Sequence, residues 1–166
     1  DRTPQGFWIL LAEKIAIITD GGESDLERGQ RLENEAVRIT AEKYNLNLNL
    51  DPGMWVSDDN PDIAVSPDAA EDVELPTYAA EVKCLSSANH LKYVIKDLRA
   101  RKSEDYKAID HVPNEANSAY REQVIQYFVV NERLQTLYFT LYDERISLDK
   151  YMHHVIVINR EDIEDE

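Results

Sequence analysis

The chain has 166 residues, 43% of them hydrophobic, which is the size and apolar content of one ordinary domain with a real core. Its formal charge of −15, from 33 acids against 18 lysines and arginines, argues against a protein that coats nucleic acid through bulk electrostatics. No run of about 18 apolar residues and no basic-then-apolar leader is present, so neither a membrane span nor a signal peptide is expected.

The lone Cys84 excludes an internal disulfide and a multi-cysteine metal site, and it fits a reducing cytosol. Charge is unevenly spread. Residues 58–74 hold seven acids and no base, and residues 92–107 hold six bases (Lys92, Lys96, Arg99, Arg101, Lys102, Lys107) against three acids. Taken alone, each stretch reads as solvated surface. The sequence starts without Met and stops on the polar run 160–166, so the single domain expected over residues 1–166 reads as trimmed at both ends.

Residues 7–18 are strongly apolar behind Pro4, which predicts a buried helix. Gly21 and Gly22 break it. Ser24 followed by Glu27 is a capping-box pattern that opens a second helix to about Tyr44. Leu26, Ala36, Val37 and Tyr44 define one stripe of that helix, and Gly29 and Glu33 fall in it. Glu33 is thus expected to point inward, one turn after a glycine that leaves it room. Residues 45–56 read as extended segments around a Pro52-Gly53 turn, and residues 63–66 as a short strand ended by Pro67. An acidic loop over residues 69–76 then leads into the strand 78–84, so a hairpin is expected to present Asp68 and Glu81 on one side.

That strand, Tyr-Ala-Ala-Glu-Val-Lys-Cys, puts Glu81 and Lys83 on one face and Ala80, Val82 and Cys84 on the other. The charged face either meets water as a salt-bridged surface or serves a site. Residues 91–102 have helical spacing through Leu91, Val94, Ile95 and Leu98. Residues 117–131 predict another helix with Ala119, Tyr120, Gln123, Tyr127 and Val130 inward. Strands follow at residues 136–142 and 155–158. The order is α-α-β-β-β-α-α-β-β, an α/β (α+β mixed) fold with a central mixed sheet flanked by helices.

Four patterns occur in order: Gly29-x-x-x-Glu33 on a helix, Ser66-Pro67-Asp68 at a strand end, Glu81-Val82-Lys83 on the next strand, and Tyr120-x-x-Gln123-x-x-x-Tyr127 on a later helix. Together they resemble the PD-(D/E)xK nuclease superfamily, and within it the branch of the phage lambda exonuclease and the YqaJ-type viral recombinases. Tyr142-Asp143-Glu144-Arg145 extends the likeness, which spans nearly the whole chain. The resemblance implies a restriction-endonuclease-like core.

It also implies roles. Asp68, Glu81, the Val82 carbonyl and Glu33 would hold Mg²⁺ or Mn²⁺, hard cations that prefer oxygen ligands. Lys83 would orient or help deprotonate the attacking water and stabilise charge on the phosphate, and Gln123 would position that water. Asp62 competes with Asp68 for the first place, because Pro61-Asp62 repeats the proline-aspartate pair. Arg2 matches an N-terminal arginine used near the 5′ phosphate. Ser86, Ser87 and Ala88 stand where the family carries a serine-arginine pair. Lys92, Lys96 and Arg99 are candidates for a DNA-facing lining, as is Tyr120.

By resemblance the function is 5′→3′ exonuclease action on double-stranded DNA ends in a bacterial or phage-infected cytoplasm. Implied partners are a single-strand annealing protein and further copies in a trimeric ring, with no membrane. A RecB-like or Cas4-like end-processing nuclease and a catalytically silent DNA-binding or assembly module of the same fold remain the alternatives.

Overall fold

A computed structural model of the chain describes residues 3–17, 23–115 and 118–163. Arg2, the Gly21-Gly22 break and Asn117, the expected start of the later helix, lie outside the described residues.

Helix α1 (Gln5–Ile15) follows Pro4, as the sequence suggests. It is not buried. Trp8 and Ala12 are covered, whereas Phe7 and Leu10 are 48% and 59% exposed, because α1 packs with one side against Leu91, Ile146 and their neighbours and turns its remaining apolar surface outward. Helix α2 (Asp25–Tyr44) opens on the expected capping box: Ser24 Oγ accepts the Glu27 N–H, and Glu27 accepts the Ser24 N–H at 2.9 Å. It closes on Asn45 in the left-handed region, φ 54°. Its inner face is rotated from the stripe read in the sequence. Arg28, Leu32, Ala36 and Thr40, spaced by four, are buried, while Leu26 is 72% exposed. A Cβ added at Gly29 would meet nothing within 4 Å, so that glycine does not make room for Glu33.

The extended region contains β1 (Leu48–Asn49) and β2 (Trp55–Val56), separated by a turn with Gly53 at φ 73°. Strand β3 (Ala64–Val65) pairs with β2 in a separate ribbon, and so it does not form the hairpin expected of it. The hairpin partner is β4 (Ala69–Glu71), within the stretch expected to be loop, which pairs antiparallel with β5 (Tyr78–Lys83). Small Ala69 and Ala70 are fully buried between the flanking layers, so this short strand is held by packing and pairing more than by its own β-propensity. The remaining turn, residues 72–77, is braced where Glu71 accepts the Thr77 N–H and hydroxyl, each at 2.8 Å.

Helix α3 (Ser87–Ala100) starts four residues earlier than its apolar spacing suggests. Asp97 is buried in place of Leu98, which is exposed. Strands β6 (Asn114–Glu115) and β7 (Ser118–Ala119) form a small hairpin before α4 (Tyr120–Val130), so Ala119 lies ahead of that helix and not on its inner face. Strand β8 (Thr136–Tyr142), the short helix α5 (Asp149–Met152) and β9 (His153–Asn159) complete the fold.

The main sheet has the order β1-β4-β5-β8-β9, with β5 and β8 parallel and the other pairs antiparallel. Parallel neighbours need a long crossover, and α3 and α4 supply it. Ala80, Val82 and Tyr142 pack on one face against Leu32, Ala36 and Val37 of α2. Ala79, Leu137, Phe139, Leu141 and Ile156 pack on the other against Val94 of α3 and Val124, Tyr127 and Phe128 of α4. This is the mixed sheet flanked by helices that the sequence predicts. Among the described residues no helix is long and apolar enough to cross a membrane.

Candidate active site

Alternation along β5 sends Ala80 and Val82 toward α2 and Glu81 toward α4. Helix α4 covers that second face, so Glu81 is only 2% exposed and the reading of a water-facing salt-bridged strand fails. A buried carboxylate requires partners. Glu81 Oε1 accepts from Lys83 Nζ at 2.5 Å and from Gln123 Nε2 at 2.9 Å, and Oε2 accepts from the Tyr127 hydroxyl. That hydroxyl also lies 3.0 Å from the Ser66 carbonyl, linking the catalytic-strand candidate to the segment before β4. Gln123 and Tyr127 are one helical turn apart, which is why both reach the same carboxylate.

The β4–β5 register pairs Ala69 with Ala80, which sets Asp68 opposite Glu81. Asp68 Oδ2 accepts the Val82 N–H at 2.7 Å. Asp62 instead sits exposed in the turn before β3, its N–H bonded to Asn60 at 3.1 Å, away from the hairpin. Burial, then Glu81 and Glu33, push the Asp68 carboxyl up to about 7, against the opposing pull of the Val82 N–H and Lys83. Glu33, half-buried on α2, is raised first by burial and then by Glu81, with Lys83 opposing. Burial pulls the Lys83 ammonium down, but Glu81 and Asp68 outweigh it and hold it above its ordinary value. Lys83 Nζ also stands 4.9 Å from the Tyr120 ring centroid, a cation–π distance.

The hairpin and two helices therefore bring Asp68, Glu81, Lys83, Gln123 and Tyr120 together, with Glu33 coupled to them through charge. Three carboxylates face one ammonium. A site with this excess of buried negative charge and hard oxygen donors suits a divalent cation. Among the described residues no group of three or more His, Cys, Asp and Glu side chains is already arranged as a metal cage, so Asp68 and Glu81 form a converging pair and Glu33 acts on them from α2. Val82 contributes its buried backbone between the two carboxylates.

Lys92, Lys96 and Arg99 follow each other at helical spacing along α3 away from β5. The leading charges acting on Glu33, Asp68 and Lys83 come from within the cluster, and none of these three is among them. Lys96 instead borders a small cavity with Tyr93, Asp110, His111 and Asn114.

Two features escape a reading of the sequence alone. Tyr127 reads as a core residue on a helical stripe, yet its hydroxyl is a direct partner of Glu81. Arg28, an ordinary-looking charge on α2, is buried and donates to the Cys84 and Leu85 carbonyls at 3.0 and 2.7 Å and to Asp143 at 3.2 Å. Asp143 also accepts from Arg145 at 2.8 Å and from Ser87 at 2.6 Å, so the Ser87 hydroxyl is turned inward onto a carboxylate. This cluster fastens the chain immediately after Lys83. The Tyr-Asp-x-Arg pattern at residues 142–145 was the one available signal for it.

No family model matches the chain, and no curated protein matches it. Among solved structures it is similar to an alkaline exonuclease, LHK-Exo, from Laribacter hongkongensis, with a TM-score of 0.57 and 18% identity over 84% of this chain. This chain spans 60% of the length of that structure. It is also similar to LHK-Exo in complex with dAMP, with a TM-score of 0.60 and 18% identity over 97% of this chain and 72% of the other. The chain thus shares its mixed α/β fold with that exonuclease.

Proposed function

We propose that this chain is a divalent-metal-dependent DNA exonuclease that hydrolyses phosphodiesters from the ends of linear duplexes, in the 5′→3′ direction. The observation that carries the reading is the convergence of Asp68, Glu81 and Lys83 on one hairpin with Gln123 supplied by α4. The name of the similar structure, an alkaline exonuclease, and its complex with dAMP support it.

Asp68, Glu81 and the Val82 carbonyl would hold Mg²⁺ or Mn²⁺, with Glu33 adding charge from α2. The cation, when bound, supplies Lewis acidity and lowers the pKa of water. Binding it requires the carboxylates ionised, which their mutual repulsion opposes in its absence. Lys83 keeps its proton because Glu81 and Asp68 hold it, so it serves the phosphate as a cation and hydrogen-bond donor. Gln123 fixes the orientation of Glu81 and offers an amide to water or phosphate. Lys92, Lys96 and Arg99 line the approach of the duplex in an otherwise acidic chain.

The test is nucleotide release with Mg²⁺ or Mn²⁺ from four substrates: 5′-phosphorylated linear duplex, 5′-hydroxyl duplex, single strands and closed circles. Release from linear duplex, fastest with the 5′ phosphate and absent with circles, is expected. Equal cutting of circles contradicts the exonuclease reading, and no release from any substrate contradicts hydrolysis altogether.

A further inference from the structure

A groove opens on the outer side of α4, between the C-terminal end of that helix, strand β2 and the turn at residues 74–76. Its cavity of about 590 Å³ falls in the range of about 300–1,000 Å³ typical of ligand-enclosing sites. Trp55 forms part of the wall and is fixed there by an edge-on contact with Tyr127, ring centroids 6.2 Å apart. Val56, Leu75 and Val129 line it while 44%, 53% and 55% exposed. Scattered exposed apolar residues need no explanation, but a concave group of them does. The walls are fixed: Asn131 Nδ2 donates to the Pro76 carbonyl at 3.0 Å, and Arg160 donates to the Asn131 carbonyl at 2.9 Å.

The rim is acidic. Asp58, Asp59, Glu74 and Glu132 border the groove against a single base, Arg133. All four carboxylates are exposed, and among the described residues none of them is in an ion pair. A groove in which exposed apolar side chains stand among four carboxylates repels a nucleic-acid backbone and suits a ligand that is both apolar and positively charged.

We propose that this groove docks a basic, apolar peptide segment of a partner protein. Apolar side chains of the segment lie against Trp55, Val56, Leu75 and Val129, and flanking Lys or Arg side chains meet the rim carboxylates. The docking is a function separate from hydrolysis and stands or falls without it.

The experiment is selection of a phage-displayed library of random 12-residue peptides on the full chain, with counter-selection on the Leu75→Asp/Val129→Asp double variant. Enriched peptides combining Lys or Arg with apolar residues are expected. A synthetic peptide of the enriched sequence should perturb Trp55 fluorescence and bind Glu74→Lys/Glu132→Lys at least tenfold more weakly, with circular dichroism confirming that both double variants fold. Failure to enrich any sequence over the double variant overturns the proposal. So do acidic enriched sequences, or binding that is equal in wild type and variants. Sedimentation velocity supplies the remaining outcome: self-association of the wild type that Leu75→Asp/Val129→Asp abolishes would make the occupant a second copy and reject the partner segment.

Discussion

Asp68 and Glu81 stand opposite each other across the β4–β5 hairpin, and Asp68 is tied to the strand of Glu81 through the Val82 N–H at 2.7 Å. Two carboxylates so placed resist simultaneous ionisation, and Asp68 carries the consequence, its carboxyl pushed up to about 7 by burial and by Glu81.

That shift makes the metal-free protein sensitive to pH in a defined direction. The unfolded Asp68 carboxyl titrates near its ordinary value of about 3.9, so between about pH 4 and pH 7 the folded state binds more protons. The contribution of this group to stability is therefore full at low pH and is lost as pH rises through 7. In EDTA, Asp68→Asn should raise the melting temperature at pH 8, by about 2–4 °C for each kcal/mol gained, and should change it much less at pH 5. Differential scanning calorimetry at the two pH values checks this. An equal change at both would show that Asp68 is not strained by its neighbours.

Tyr127→Phe keeps the ring against Trp55 but removes the hydroxyl from Glu81 and the Ser66 carbonyl. Loss of a buried partner of a carboxylate should cost about 1–3 kcal/mol, read from urea unfolding. Under the proposed activity kcat should fall about tenfold, a loss of about 1.4 kcal/mol in transition-state stabilisation, with KM for duplex little changed. A rise in KM with unchanged kcat would place Tyr127 in substrate binding instead.

Arg28→Met removes a buried guanidinium from Asp143 and from the carbonyls of Cys84 and Leu85. Breaking a buried ion pair from one side typically costs about 3–5 kcal/mol, and a loss at the lower end is expected because Arg145 and Ser87 still hold Asp143. Hydrogen exchange should show the end of β5 and the start of α3 opening faster while β9 stays protected. Uniform loss of protection across the sheet would mean that Arg28 supports the whole fold and not the strand end.

Much of this site is legible in the sequence because its signals are local. Strand alternation alone places Glu81 and Lys83 on the face opposite Ala80 and Val82. A 3.6-residue period puts Gln123 and Tyr127 on one side of α4. The misreadings have non-local causes. Strand β4 is an Ala-Ala-Glu segment with little propensity of its own, and only its partners β1 and β5 make it a strand. Arg28 looks like a surface charge until Asp143, 115 residues away, is folded against it, and treating it as surface rotates the deduced inner face of α2 toward Leu26. The apolar α1 suggests burial, but burial depends on how many neighbours the fold provides.

The central claim is that the hairpin carrying Asp68, Glu81 and Lys83 hydrolyses DNA, and the most direct measurement is single-turnover nucleotide release from a 5′-phosphorylated linear duplex with Mg²⁺, comparing wild type with Lys83→Ala. The wild type should release nucleotides and Lys83→Ala should be slower by about 10²–10³-fold or more while melting as a folded protein, since under the proposed activity Lys83, held beside Glu81, would supply charge where the reaction develops it. A folded Lys83→Ala protein that retains wild-type release would contradict the account.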